Sequence, residues 1–263
     1  MKLLEYASHP LISLSKLVGY SCGKLFYQER LDKNGNPFRK RFFCELNQRL
    51  IENGYSLPWI RAREECLTYW RSCTNESVDG NKPSVYSHKP GGIVSFLSQF
   101  WSPEVGRDDI IMELGCGPAT NLYFLSKLGY CHLTGIEINT NSINEMKKSF
   151  PELRANIHNG TIEDILPKLN SDSIDVIYTM GFAAHIHPKS NITFNEMARV
   201  AKKYICTLES ESANCSDTFT RNYRRIFSKL GCQQLKSVLI TKEAFPYVAG
   251  EYYGFTARLF AVE

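Results

Sequence analysis

IIMELGCGPATNLYFLSKLGY, residues 110 to 130, sets four apolar residues around one acid, then a glycine-rich turn, then an apolar stretch with helical spacing. The pattern predicts a buried strand running through a turn into a helix. Gly115 and Gly117 stand at the carboxyl end of that strand. A residue without a β-carbon there lets the main chain turn sharply and approach a ligand, which then sits at the N-terminus of the following helix. The bland alternative is a tight turn that holds nothing.

Working outward, HLTGIEI at 132–138 reads as a second strand, and it places Glu137 twenty residues beyond Gly117. A carboxylate at that position accepts hydrogen bonds from both hydroxyls of a ribose. Glycine turn and acid together specify a ligand that contains a nucleoside. NAD and FAD are the first rivals, but the third small residue of their G-x-G-x-x-G/A fingerprint falls on Thr120. Glu113, two residues before the first glycine, is poorly placed for a pyrophosphate and well placed for the ammonium end of an amino-acid-bearing cofactor. That combination points to S-adenosylmethionine, although Glu113 alone also reads as a strand-end acid facing solvent.

Strand and helix continue to alternate from residue 108 onward, which predicts an α/β fold with a parallel sheet. Further strands are expected at RANIHN, SIDVIYT and KYICTLE, and two more at LKSVLIT and GFTARLFAVE. Helices are expected at NSINEMKKSF, NITFNEMARVA and DTFTRNYRRIFSKLG.

ELGCGPATN, GIEIN, the polar turn NGTIEDILP, and SIDVIYTMGFAAHIHP followed by EMARVAKKYI occur in one order and spacing. Through them, residues 108 to 263 resemble the class I S-adenosylmethionine-dependent methyltransferases. The resemblance implies a Rossmann-like, seven-stranded, mostly parallel sheet with helices on both faces and a reversed last strand. It implies that Glu113, Gly115 and Gly117 form the cofactor turn, that Glu137 binds the ribose and that Ile138 flanks the adenine. Thr161 and Ile162 stand where the family commonly has an Asp and a small residue at the adenine edge. Thr161 departs from that pattern, which leaves the Ile162 N–H as the adenine contact. S-adenosylhomocysteine would be the product.

YTMGFAAHIHP, residues 178 to 188, lies where the family's acceptor meets the methyl group. It lacks the Asn/Asp-Pro-Pro-aromatic element of exocyclic-amine DNA methylation and the Pro-Cys of cytosine C5 methylation. It is closer to members with a V-L-x-H-I-x-P-like element, many of which modify small metabolites or glycan precursors. Ala183 and Ala184 replace bulkier residues there and are expected to leave room for an acceptor. His185 matches the family position, and a ring that titrates near neutrality can take a proton as the methyl moves. The competing reading is a packed histidine bonded to main chain. His187, beside Pro188, reads as turn structure. Tyr86, in YSHKPGG, is a candidate to close over the cofactor's methionine end, against ordinary packing.

Composition bounds the rest. A chain of 263 residues buries a sizeable core without staples. Nine cysteines, an odd number without a Cys-x-x-Cys pair, suit reduced thiols better than a disulfide framework or a zinc site, and no metal is indicated. No apolar run approaches the ~18 residues of a membrane span, and Glu5 and His9 interrupt the would-be apolar region of a signal peptide. A cytoplasmic protein is expected. The net charge of +4 is N-terminal: residues 1–100 hold 14 Lys/Arg against 9 Asp/Glu, and the remainder holds 17 against 18. Aromatics interleave with those charges in KLFYQER, PFRKRFF, GYSLPWI and LTYWRSC, in short helices broken at NGNP, NGYSLP and VDGNKP. Residues 1–84 therefore read as a helical layer or as an acceptor-binding cap, followed by a cofactor domain over 85–263. The excess of five charges is modest for a nucleic-acid surface. The expected activity is methyl transfer to O or N of a small polar acceptor such as a sugar, a nucleotide-linked intermediate or an amino compound. The alternatives are a methyltransferase for protein or RNA and a silent cofactor-binding protein.

Overall fold

The computed structural model describes residues 40–56, 60–78, 80–211, 214–215 and 217–263. Before the sheet come α1 (Lys40–Glu52), α2 (Arg63–Ser72), α3 (Pro83–Ser87) and α4 (Gly92–Phe100). Strand and helix then alternate through β1 (Ile110–Leu114), α5 (Thr120–Lys127), β2 (His132–Glu137), α6 (Thr140–Ser149), β3 (Ala155–Asn159) and α7 (Ile162–Ile165). They continue through β4 (Ile174–Met180), α8 (Ile192–Val200), β5 (Ala201–Ser210), α9 (Tyr223–Lys229), β6 (Gln233–Leu239) and β7 (Phe255–Ala261).

One seven-stranded sheet results, in the order β3-β2-β1-β4-β5-β7-β6. The pairs among β1 to β5 are parallel, because a helix returns the chain to the same edge between them. β7 runs antiparallel to both β5 and β6, since the β6–β7 connection holds only a short 3₁₀ turn at Gly250–Tyr252. This is the Rossmann-like sheet with a reversed last strand that the family resemblance implies.

Period-two alternation decides which side chain enters which layer. Ile111, Val176, Tyr178, Cys206 and Leu208 pack against Phe96 and Leu97 of α4 and Leu122 and Leu125 of α5. Their neighbours Met112, Ile177 and Ile205 face the opposite layer, with Phe194 and Met197 of α8 and Phe227 of α9. Both faces are therefore buried, which is why these strands read as nearly continuous apolar runs.

Two expectations need correction. In DTFTRNYRRIFSKLG the helix begins only at Tyr223, where the Asn222 side chain caps it by accepting from Arg225 N–H. Residues 218–219 ahead of it pair instead with 214–215 in a two-residue ladder. NGTIEDILP is not a simple turn, for it contains α7, capped by Thr161. NGYSLP and VDGNKP do separate α1, α2 and α3, whereas KLFYQER and NGNP lie outside the described residues. No helix among the described residues is long and apolar enough to cross a membrane.

Candidate active site

All nine sequence-nominated residues line one cavity of about 410 Å³ at the carboxyl ends of β1, β2 and β4: Tyr86, Glu113, Gly115, Gly117, Glu137, Ile138, Thr161, Ile162 and His185. The glycine turn has left-handed φ at alternate positions, +68° at Gly115, +54° at Gly117 and +56° at Ala119. A methyl group added at Gly115 would lie 2.0 Å from the Phe182 ring, so the clash this glycine avoids is with protein. At Gly117 the same methyl would meet nothing within 4 Å, which leaves that backbone open to a ligand.

Every N–H of the turn is already engaged. Those of Gly115 and Cys116 donate to Ile136 O, at 2.9 and 3.1 Å, and that of Ala119 donates to Cys116 O. Gly117 N–H donates to Glu137 Oε2 at 2.8 Å, and residue 118 is proline. The turn itself, over residues 115–119, thus has no N–H left to offer a ligand.

Glu137 is buried at the end of β2. Its Oε1 accepts from Asn139 N–H at 2.7 Å, so the two amides orient both carboxylate oxygens while burial raises the carboxyl above its usual range. Glu113 is 2% exposed. Its Oε1 accepts from Asn121 Nδ2 at 2.7 Å, while Oε2 is buried with no hydrogen bond. Tyr178, on the neighbouring strand, lies close enough for each to perturb the other's ionisation, yet its hydroxyl also lacks a bond of acceptable geometry. Burial pushes the Glu113 carboxyl up to about 8. An unpaired buried acceptor carries a desolvation penalty that an incoming cationic donor removes.

The two histidines differ in their free valences. His185 ends a 3₁₀ turn, Ala183–His185, and its Nδ1 lies 3.0 Å from Asp217 O. A carbonyl only accepts, so Nδ1 carries the proton and Nε2 keeps the lone pair. The ring packs edge-on against Trp70, 4.8 Å between centroids, and burial lowers its pKa from 6.5. His187 has both nitrogens occupied: Nδ1 accepts from Lys189 N–H and Nε2 donates to Arg61 O, each at 3.2 Å. It is a capping residue, in keeping with its place beside Pro188.

Ala183 and Ala184 do not open room for an acceptor, as their side chains are buried behind the turn and Phe182 faces the cavity in their place. Thr161 uses its hydroxyl as a cap, accepting from Asp164 N–H and donating to Asp164 Oδ2 at 2.7 Å. The Ile162 N–H is the first of α7, a position without an intrahelical partner.

Residues from 61–78 and 80–88 roof the cavity. Asn139 Nδ2 donates to Cys73 O, Ser87 Oγ donates to Glu145, and Arg63 Nε donates to Ser190 Oγ at 2.8 Å. Lys89 Nζ lies 2.9 Å from Glu251 and 4.3 Å from the Tyr86 ring centroid. Arg63, Cys66, Tyr69 and Trp70 line the cavity, and sequence reasoning did not nominate them. The aromatic richness of LTYWRSC was the available signal, but nothing local told which ring would face inward.

With this geometry in place, comparison with known proteins is informative. Residues 111–204 match the family model described as a methyltransferase domain. Residues 111–204 therefore form a methyltransferase domain, with S-adenosylmethionine as its cofactor. The fold of this methyltransferase is similar to that of geranyl diphosphate methyltransferase, solved with GPP and sinefungin. Identity is 13%, the TM-score is 0.56, and the match covers 76% of this chain and 98% of that one. It is also similar to magnesium protoporphyrin IX methyltransferase from Synechocystis PCC 6803 with bound SAH, with 12% identity, TM-score 0.55, and 77% and 100% coverage. A SAM-dependent methyltransferase from Aquifex aeolicus gives 16%, 0.50, and 70% and 98%. No curated protein matches the sequence.

Proposed function

We propose that this methyltransferase transfers a methyl group from S-adenosylmethionine to O or N of a small polar acceptor held under the roof, with His185 as general base. The observation that carries the reading is that one cavity is lined both by Glu113, whose buried Oε2 has no well-formed hydrogen bond among the described residues, and by His185, whose Nδ1 is committed to Asp217 O so that Nε2 is left as the basic nitrogen. The first suits the ammonium of the donor's amino-acid end, and the open backbone at Gly117 suits its close approach. Glu137 would hold the ribose, Ile138 the adenine face, and the Ile162 N–H the adenine edge, while Tyr86 closes over the methionine end. The bound donor supplies a methyl group already activated on a sulfonium. The chain's own residues align the acceptor, exclude water and remove one proton. The aromatic roof of Tyr69, Trp70 and Tyr86 bounds a cavity of a size suited to a metabolite, and on this reading the roof residues from Arg63 to Tyr86 that line it belong with the acceptor site.

S-adenosylmethionine and S-adenosylhomocysteine should raise the melting temperature by mass action, about 2.7 kcal/mol at a hundredfold excess over Kd, while NAD and FAD should not. A metabolite screen read by S-adenosylhomocysteine release then identifies the acceptor. Stabilisation by NAD instead of the sulfonium would overturn the reading.

Glu113 adds a pH signature. With its pKa near 8, the carboxyl is mostly protonated at pH 7 in the free protein, and seating an ammonium favours the carboxylate. Binding should release close to one proton at pH 7, and affinity should fall as pH drops below about 8. Calorimetry in buffers of differing ionisation enthalpy measures this. A heat independent of buffer at pH 7 removes Glu113 from the ammonium role.

A further inference from the structure

The turn that carries His185 is gripped from behind by two side chains that do not line the cavity. Glu209, near the end of β5, is 0% exposed. Its Oε1 accepts from the N–H groups of Phe182 at 3.0 Å and Ala183 at 2.9 Å, and its Oε2 accepts from Ala184 N–H at 3.4 Å. Arg221 is likewise 0% exposed. Its Nη1 donates to Ala183 O at 3.3 Å and Phe219 O at 2.6 Å, and its Nη2 donates to Ile186 O at 2.6 Å and Asn191 Oδ1 at 2.8 Å. The guanidinium lies over the Phe194 ring, 5.2 Å from its centroid.

Two buried opposite charges ordinarily satisfy one another. These two form no salt bridge: Glu209 accepts from the amides of Phe182, Ala183 and Ala184, while Arg221 divides its bonds among the carbonyls of Ala183 and Ile186, the carbonyl of Phe219 and the side chain of Asn191. A carboxylate directed at three successive amides holds the start of the turn, and a fork-shaped guanidinium bonded to the carbonyls of Ala183 and Ile186 holds its middle and end. Simple core stability does not require this arrangement, since well-packed apolar side chains serve that purpose at least as well.

We infer that Glu209 and Arg221 are positioning residues that set the direction of His185 Nε2 by fixing the 182–186 main chain, an inference that rests on the reading of His185 as the base. Nδ1–H of His185 reaches Asp217 O only while the turn keeps its shape. Release of the turn therefore frees the ring from its single tautomer. The charged group that acts on that ring is Asp217, whose carboxylate lies 3.2 Å from Arg61.

The test is Glu209→Gln, whose amide offers one oxygen and turns an NH₂ toward an N–H. Histidine-ring nitrogen NMR on the full chain saturated with S-adenosylhomocysteine reads the outcome, with the His185 signals assigned by their loss in His185→Ala. In the wild type, His185 should show the Nδ1–H tautomer and a titration midpoint below 6.5. In Glu209→Gln, the tautomers should mix and the midpoint should rise toward the free-imidazole value of about 6.5. Loss of a negative charge alone would move the midpoint the other way. His187, held by Arg61 and Lys189, should stay unchanged and report an intact fold. Glu209→Asp keeps the charge but withdraws the carboxyl by one methylene, and it should give the same change where the Gln variant does not fold. Unchanged His185 signals in a folded variant overturn the clamp alone. Normal turnover in His185→Ala overturns the base assignment and the clamp with it.

Discussion

His185→Ala should slow methyl transfer by about two to four orders of magnitude, the usual contribution of a positioned base. The effect should appear in kcat, with S-adenosylhomocysteine affinity kept, because the glycine turn and Glu137 are untouched. His185 is the ring whose Nε2 keeps the lone pair, since its Nδ1–H donates to Asp217 O, whereas His187 has both nitrogens committed. The wild-type rate should fall as pH drops through a value below 6.5, because burial lowers this pKa and protonation occupies the accepting lone pair. The mutant should lose that limb. A variant that keeps near-normal turnover and the same acidic limb would leave alignment alone to account for catalysis.

Glu137→Ala should weaken cofactor binding on the order of 10²-fold or more, because two hydrogen bonds to a charged group disappear at about 1.5–3 kcal/mol each. The fold should also suffer, since the Gly117 and Asn139 N–H groups lose the acceptor that now orients them. Two stranded amides at about 1–3 kcal/mol each predict a measurable drop in melting temperature even without ligand. Calorimetric titration with S-adenosylhomocysteine, beside thermal unfolding of the free protein, separates the two effects. Binding within about threefold of wild type would remove Glu137 from the ribose role.

Which parts of this protein were legible in the linear chain follows from the range of the forces involved. Strand alternation and helical spacing are local, so IIMEL, HLTGIEI and SIDVIYT announce buried strands, while the order of those strands in the sheet is a tertiary fact. The left-handed φ demanded at Gly115 and Gly117 is also local, and so is the distance along the chain to Glu137. These made the α/β fold and the glycine turn legible and nominated Glu137 for the ribose. Local reading failed at DTFTRNYRRIFSKLG, where apolar spacing continues through residues that tertiary pairing draws into a ladder. It failed again at Ala183 and Ala184, whose small size serves burial behind the turn instead of space before it.

Only the tertiary structure decided what each polar group does. Whether His185 or His187 keeps a free nitrogen depends on carbonyls at Asp217 and Arg61, 32 and 126 residues away in the chain. Arg63 joins the roof through Ser190, 127 residues distant, and Trp70 meets His185 from the far side of the cavity. Glu209 in KYICTLE and Arg221 in DTFTRNYRRIFSKLG stood in view as a lone acid in an apolar strand and one basic residue among several. Their burial, and the turn they hold between them, exist only once β4, β5 and the segment before α9 are packed together, because a hydrogen bond between distant residues leaves no periodic mark on the chain.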